Sequence, residues 1–232
     1  MTRKTSKPYV VAHILTTVDG RVKPHNWPMK NIKDLFEGPG DSFKSDAWIV
    51  GRTTMQEFSS HRAHRLGKAD RTISKTDFVG EHSTKTYAVV IDPSGKCRWD
   101  SNMVTTEHVI EVLTEKVSTA YLRHLREKQI SYVFAGRREI NLSTALTKLK
   151  NLFGIKNARI DGGGIVWGSF LKADLIDEVS HIVIPVADGS TGTPTMFDAE
   201  AGHTRRMAKL LRLKSVKRLP RDVLWIRYDV RN

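Results

Sequence analysis

Three short stretches put backbone donors, hydroxyls and carboxylates where apolar runs stop. Residues 158–169 read ARIDGGGIVWGS, with Asp161 followed by Gly162, Gly163 and Gly164. Glycines without Cβ atoms let a backbone approach a ligand closely. A helix opening at Ile165 and Val166 would aim free N–H groups and a partial positive charge at a phosphate. The spacing is not the G-x-G-x-x-G of a Rossmann turn, and no Lys-Ser/Thr follows as in a Walker A loop. A plain strand-to-helix turn remains the alternative.

The second stretch, GRTTM at residues 51–55, follows the apolar AWIV. Gly51 breaks the run, Thr53 and Thr54 offer hydroxyls, and Arg52 offers a planar fork suited to a phosphate monoester. That fork favours NADPH, with its extra 2′-phosphate, over NADH; a helix cap beside a solvated Arg is the simpler reading. The third stretch, TTVDGR at residues 16–21, ends the first apolar run with Thr16, Thr17 and Asp19. Ligands of open α/β sheets sit beyond the carboxyl ends of strands, although Asp-Gly is also an ordinary turn.

The elements that must position these residues follow from periodicity. Apolar, β-branched runs predict strands at residues 9–17, 47–50, 87–91, 109–113, 131–135, 158–161 and 178–186. Helices are expected near residues 32–37, from Thr53 to Phe58 with Thr53 as cap, over residues 120–128, and from Ile165 to about Ala173. The three- and four-residue spacing of Leu142, Ala145, Leu146, Leu149 and Leu152 predicts another, with Asn141 or Ser143 as N-cap and Gly154 as C-cap. Residues 59–86 read as a polar surface excursion. Alternation over residues 212–218 and 223–230 predicts a terminal antiparallel hairpin. The expected fold is α/β: a mostly parallel sheet flanked by helices, in one domain over residues 1–232, with residues 1–7 a flexible tail.

Composition narrows the classes. The 232 residues carry 38 Lys and Arg against 25 Asp and Glu, a formal charge of +13. That excess suits nucleic acid or phosphorylated ligands. The densest basic group, Arg205, Arg206, Lys209, Arg212, Lys214, Lys217 and Arg218, interleaves with Leu210, Leu211, Leu213 and Val216, as on a solvated face. Cys97 is the single cysteine, so neither an internal disulfide nor the Cys-x-x-Cys zinc site of a deaminase can be built. His61, His64 and His82 lack a carboxylate pattern that would complete a metal site, and none is expected. No apolar run approaches the ~18 residues of a membrane span. His13 reads as a core or pocket-wall residue; Trp48, Trp167 and Trp225 read as packing residues.

Taken together, TTVDGR, Trp27, DAWIVGRTTM and IDGGGIVWGSFLKADLIDEVSHIVIPV resemble the reductase domain of riboflavin biosynthesis, which shares the dihydrofolate reductase fold. The resemblance spans roughly residues 8–189. It implies a dihydrofolate reductase-like α/β fold and NADPH as cofactor, contacted by Thr16 and Trp27, by Gly51, Arg52, Thr53 and Thr54, and by Gly162, Gly163, Gly164, Ile165, Val166 and the following turn to Ser169. It implies a small pyrimidine- or pterin-like substrate met by Thr17, Asp19 and Asp161, with Asp19 and Asp161 as the catalytic carboxylates. Asp161 stands where the family usually has Glu. Lys44 is the residue available where the family has an Arg for the ribose phosphate. The implied reaction opens a ribosylamine and passes a hydride from the nicotinamide C4 to the sugar C1′. A cytoplasmic homodimer is the family's expectation. A nucleotide-binding regulator without turnover and a basic nucleic-acid-binding protein are the other classes.

Overall fold

A computed structural model describes residues 6–22, 27–60, 66–67, 73–198 and 208–231. His61, His64, Arg205, Arg206 and most of the N-terminal tail lie outside them. In chain order the elements are β1 (Tyr9–Thr16), α1 (Ile32–Asp41), β2 (Ala47–Gly51), α2 (Arg52–Met55), β3 (Tyr87–Ile91), β4 (Met103–Val104), β5 (Glu107–Leu113), α3 (Thr119–Glu127), β6 (Ser131–Phe134), α4 (Leu142–Phe153), β7 (Asn157–Gly162), α5 (Gly164–Lys172), β8 (Glu178–Val183), β9 (Leu211–Leu219) and β10 (Val223–Val230). They form two compact units, one of residues 1–8 and 46–156, the other of residues 9–45 and 157–232.

In the first unit β3 pairs in parallel with β2 and with β5, and β5 with β6. The short β4, which periodicity does not reveal, lies antiparallel to the start of β5. β3 and β5 are buried along almost their whole length. This is why they read as continuous apolar runs rather than alternating ones. Val50, Met55, Val90, Leu113, Leu122, Leu125 and Tyr132 belong to one core. α4 is capped as its sequence predicts. The Asn141 side chain accepts from Thr144 N at 2.9 Å, and Gly154 closes the helix at φ 71°.

In the second unit β1 lies between β7 and β8, parallel to both. β10 then pairs antiparallel with β8 and with β9, giving the expected C-terminal hairpin. β9 is exposed or half-buried throughout, so Arg212, Lys214, Lys217 and Arg218 form a wet strand. A core of Leu15, Ile182, Ile184, Val186, Val223 and Trp225 receives Ile32, Leu35 and Phe36 from α1. His13 is fully buried, bonded to Ser180 Oγ at 2.9 Å and to the Phe36 carbonyl at 2.8 Å. Trp167 and Trp225 are also core residues. The mostly parallel strands, flanking helices and terminal hairpin are the fold class that the sequence predicts.

Several boundaries differ from expectation: α1 runs on to Asp41 and α2 stops at Met55. α2 starts at Arg52 and is capped by Gly51, not Thr53, with no side-chain cap bond. The Gly51 backbone is extended, and the chain turns two residues earlier than a Thr53 cap would place it. β8 stops at Val183, three residues short of the predicted end, where it pairs with Leu224 of β10.

Candidate functional site

The second unit gathers most of the predicted residues at the carboxyl ends of β1 and β7. Thr16, the last residue of β1, is fully buried. Its Oγ donates to the Thr17 carbonyl at 2.8 Å and lies 2.8 Å from His181 Nε2. Thr17 Oγ donates to Asp19 Oδ1 at 2.6 Å and accepts from Arg21 N at 2.9 Å. Asp19 also accepts from the backbone N–H groups of Asp188 at 3.0 Å and Gly189 at 2.9 Å. Those bonds hold its carboxyl far below the usual carboxylate range, the Asp188 amide foremost. Asp19 is therefore ionised and tied to the loop after β8, not a proton donor at neutral pH.

That loop is a feature the sequence reading missed. Trp27 Nε1 donates to Asp188 Oδ2 at 2.5 Å, and Arg21 Nη1 donates to the Thr193 carbonyl at 3.0 Å. Thr195 N donates to Asp198 Oδ2 at 3.0 Å. A Cβ on Gly164 would lie 2.4 Å from the Thr195 carbonyl oxygen, and one on Gly168 1.9 Å from that of Asp198. Residues 188–198 therefore run as a strap from the end of β1 to the start of α5, and Trp27 and Asp19 anchor its first part. Asp188-Gly189 is turn chemistry that could have flagged its start.

The glycine turn itself joins β7 to α5. Gly162 has φ 149°, a backbone that favours glycine. Gly163 is the N-cap of α5 and makes no side-chain cap bond. The helix opens with no side-chain cap on its first N–H groups; Val166 N turns back to the Gly163 carbonyl at 2.9 Å, and Ile165 is 47% exposed. This arrangement fits an anionic group such as a dinucleotide pyrophosphate.

Immediately before the turn, Asp161 is held by Arg159, a residue the sequence reading did not single out. Arg159 Nε donates to Oδ1 at 2.7 Å and Nη2 to Oδ2 at 2.8 Å. Burial pushes the Asp161 carboxyl up to about 6, with the Arg159 charge opposing the shift. It is therefore predominantly ionised at pH 7. Opposite charges at i and i+2 of a strand, hence on one face, were the available signal. Lys44 sits exposed in a left-handed turn after α1, φ 46°.

In the first unit, the turn at residues 51–54 opens beside a cavity of about 390 Å³. Arg52, Lys96, Arg98 and His124 line it with Gly95, Cys97 and Tyr121; among the described residues no carboxylate does. A basic cavity beside a glycine-ended strand fits a phosphate monoester. Arg52 lines this cavity; Lys96 and Arg98, which the sequence reading did not single out, lie beyond a different strand, β3.

The fold has counterparts in known proteins. The chain belongs to the RibD C-terminal domain family, whose profile matches residues 8–225. It is thereby a member of a nucleotide-dependent oxidoreductase family. It is 25% identical over 218 residues to the 2,5-diamino-6-ribosylamino-4(3H)-pyrimidinone 5′-phosphate reductase of Aquifex aeolicus, covering 90% of this chain and 91% of the relative. The protein of the same name from Archaeoglobus fulgidus is 21% identical over 222 residues, covering 92% and 94%. In structure, the chain resembles a pyrimidine reductase-like protein from Corynebacterium diphtheriae with a TM-score of 0.71 at 16% identity, over 97% of this chain and 92% of that one. No helix among the described residues is long and apolar enough to cross a membrane.

Proposed function

We propose that this chain is an NADPH-dependent reductase of a ribosylaminopyrimidine 5′-phosphate, the substrate for which its curated relatives are named. The observation that carries this reading is the join of β7 to α5. There a carboxylate kept ionised by an arginine stands beside an uncapped helix start, in a chain whose family match covers residues 8–225. The whole chain is read as one reductase domain, acting as a homodimer in the cytoplasm; a mass by light scattering of twice the chain checks the dimer.

Gly162, Gly163, Gly164 and Ile165 are assigned to the cofactor's pyrophosphate through their backbone, with Val166, whose N–H already meets the Gly163 carbonyl, turning the helix beside them. Gly51, Arg52, Thr53 and Thr54, beside the cavity lined by Lys96 and Arg98, offer a setting for a phosphate monoester, which supports the choice of NADPH over NADH. When bound, the reduced nicotinamide supplies the hydride that the sugar C1′ receives. Asp161 and Thr17 orient the substrate, and Lys44 is assigned to its phosphate. Asp19 keeps the β1 turn and residues 188–189 in place, while Thr16 and Trp27 brace the same end from inside. The proton that balances the hydride is not drawn from Asp19, which stays ionised.

Fluorescence titration with NADPH and NADH tests the cofactor assignment. NADPH should bind at least about tenfold more tightly, and Arg52→Ala should remove most of that preference, as loss of a charged hydrogen bond of ~1.5–3 kcal/mol implies. Equal affinity for both cofactors would overturn the choice of NADPH. Binding without oxidation in the presence of the pyrimidine phosphate would mark a regulator instead.

A further inference from the structure

Arg159 is out of place for a solvated cation. Its side chain is 10% exposed and that of its partner Asp161 11%. The guanidinium reaches past β7 toward α1, where its Nη2 lies 3.4 Å from Glu37 Oε2 and its Nη1 4.0 Å from Asp41 Oδ1. The Phe36 ring centroid is 5.8 Å from its Cζ. Room for it comes from a missing side chain, because a Cβ on Gly40 would lie 2.1 Å from Arg159 Nη1 and 3.1 Å from His13 Nε2. His13 is neutral, pushed down to about 3 by burial. One cation therefore answers three carboxylates, Asp161 on its own strand and Glu37 and Asp41 on α1, with neutral His13 on β1 beside them.

Among the described residues, Arg159 is the only hydrogen-bond partner of the Asp161 side chain. Each carboxylate oxygen accepts at about two positions, so the fork occupies one on each and leaves the others open. A bidentate pair fixes the plane of the carboxylate as well as its charge.

We propose that Arg159 is a positioning residue that locks Asp161 as an oriented, ionised acceptor for N–H and O–H donors of the substrate, so that Asp161 recognises the aminopyrimidine and does not supply a proton. The inference rests on the reading that Asp161 meets the substrate. A neutral acid would turn one oxygen into a donor and meet the exocyclic amino groups with the wrong polarity. Glu37 and Asp41 work against the fork, since their charges favour the protonated acid.

The test is the pH dependence of kcat/KM for NADPH oxidation with 2,5-diamino-6-ribosylamino-4(3H)-pyrimidinone 5′-phosphate. The wild-type acidic limb should fall near the Asp161 value of about 6. Arg159→Gln should move that limb up by about 1 pH unit or more, because an adjacent opposite charge lowers a carboxyl by ~1–3 units. Arg159→Lys, which keeps the charge and loses the fork, should move it less and raise KM for the pyrimidine several-fold with NADPH affinity unchanged. Glu37→Gln should move it the other way, to lower pH. Opposite shifts from Arg159→Lys and Glu37→Gln are beyond a merely structural role, and they decide the matter if Arg159→Gln does not fold. A limb that stays put, or shifts in one direction in both variants, overturns the proposal. Asp161→Asn with wild-type kcat/KM and an unchanged limb would instead remove the underlying reading that Asp161 meets the substrate.

Discussion

Each unit buries an acid in a strand, and the two acids have opposite fates. Glu111 of β5 is fully buried. Trp99 Nε1 donates to its Oε1 at 2.5 Å and Tyr121 Oη at 2.6 Å, while its Oε2 has no partner. Nearby Asp92 is also buried with one oxygen unpartnered, its other oxygen accepting from Lys96 N at 2.5 Å and Cys97 N at 2.7 Å. Burial, with Asp92 second, pushes Glu111 up to about 8, so it is mainly neutral at pH 7. Asp161 of β7 is nearly as buried, yet the Arg159 fork keeps it ionised. Two neutral donors satisfy one oxygen of Glu111 but do not cancel the cost of desolvating a charge; a bidentate cation offsets much of it. Burial alone makes an acid inert, and burial beside a cation makes it a fixed acceptor. Asp92, Cys97 and Glu111 also bring ligand-type atoms within 4.8 Å of one another. Burial pushes the Cys97 thiol well up as well, which disfavours the thiolate a metal would need.

The contrast breaks first at Arg159. Arg159→Met should cost about 3–5 kcal/mol, the penalty for stranding one member of a buried pair, measured by urea unfolding at pH 7. A loss no larger than that of an exposed ion pair, under ~1 kcal/mol, would show that the pair is not desolvated.

Glu111→Gln should act in the opposite sense. The folded value, about 8, lies above the unfolded value of ~4.3. The wild type's stability is therefore intact below the unfolded value and is lost as pH rises toward the folded one. The amide cannot ionise, so the variant's advantage should grow through that window to a few kcal/mol near pH 8. Parallel stability curves for the two proteins between pH 5 and pH 8 would contradict it. The smallest effect is expected at Gly40, where Ala must displace the Arg159 guanidinium. The cost should be about 1–3 kcal/mol, as for other overpacked sites, and Arg159→Lys should relieve part of it. Full additivity of the two substitutions would argue that they do not share the slot.

Much of this was legible in the sequence. The buried strands show as apolar runs, α4 as a three- and four-residue repeat closed by Asn141 and Gly154, and the hairpin as alternation. The glycine turn was legible because few other roles explain three glycines between a strand and a helix. The strap was not, since residues 188–198 gain their meaning from Asp19, Trp27 and Gly164, distant in the chain. Arg159 was hidden for a similar reason. As a charged residue inside an apolar strand it looks like an exposed edge, and only the bare backbone at Gly40 lets it lie buried. Asp19 was legible as a carboxylate at a strand end but not as a clasp, because the amides that hold it follow β8.

Hydride delivery to the sugar carbon of a pyrimidine phosphate can be followed by isotope transfer. Incubation with NADPH deuterated at the nicotinamide C4 and 2,5-diamino-6-ribosylamino-4(3H)-pyrimidinone 5′-phosphate should yield a ribityl product carrying deuterium at C1′. Transfer from one of the two C4 faces only is expected. Product without deuterium from either face, or no product at saturating cofactor, would contradict the account.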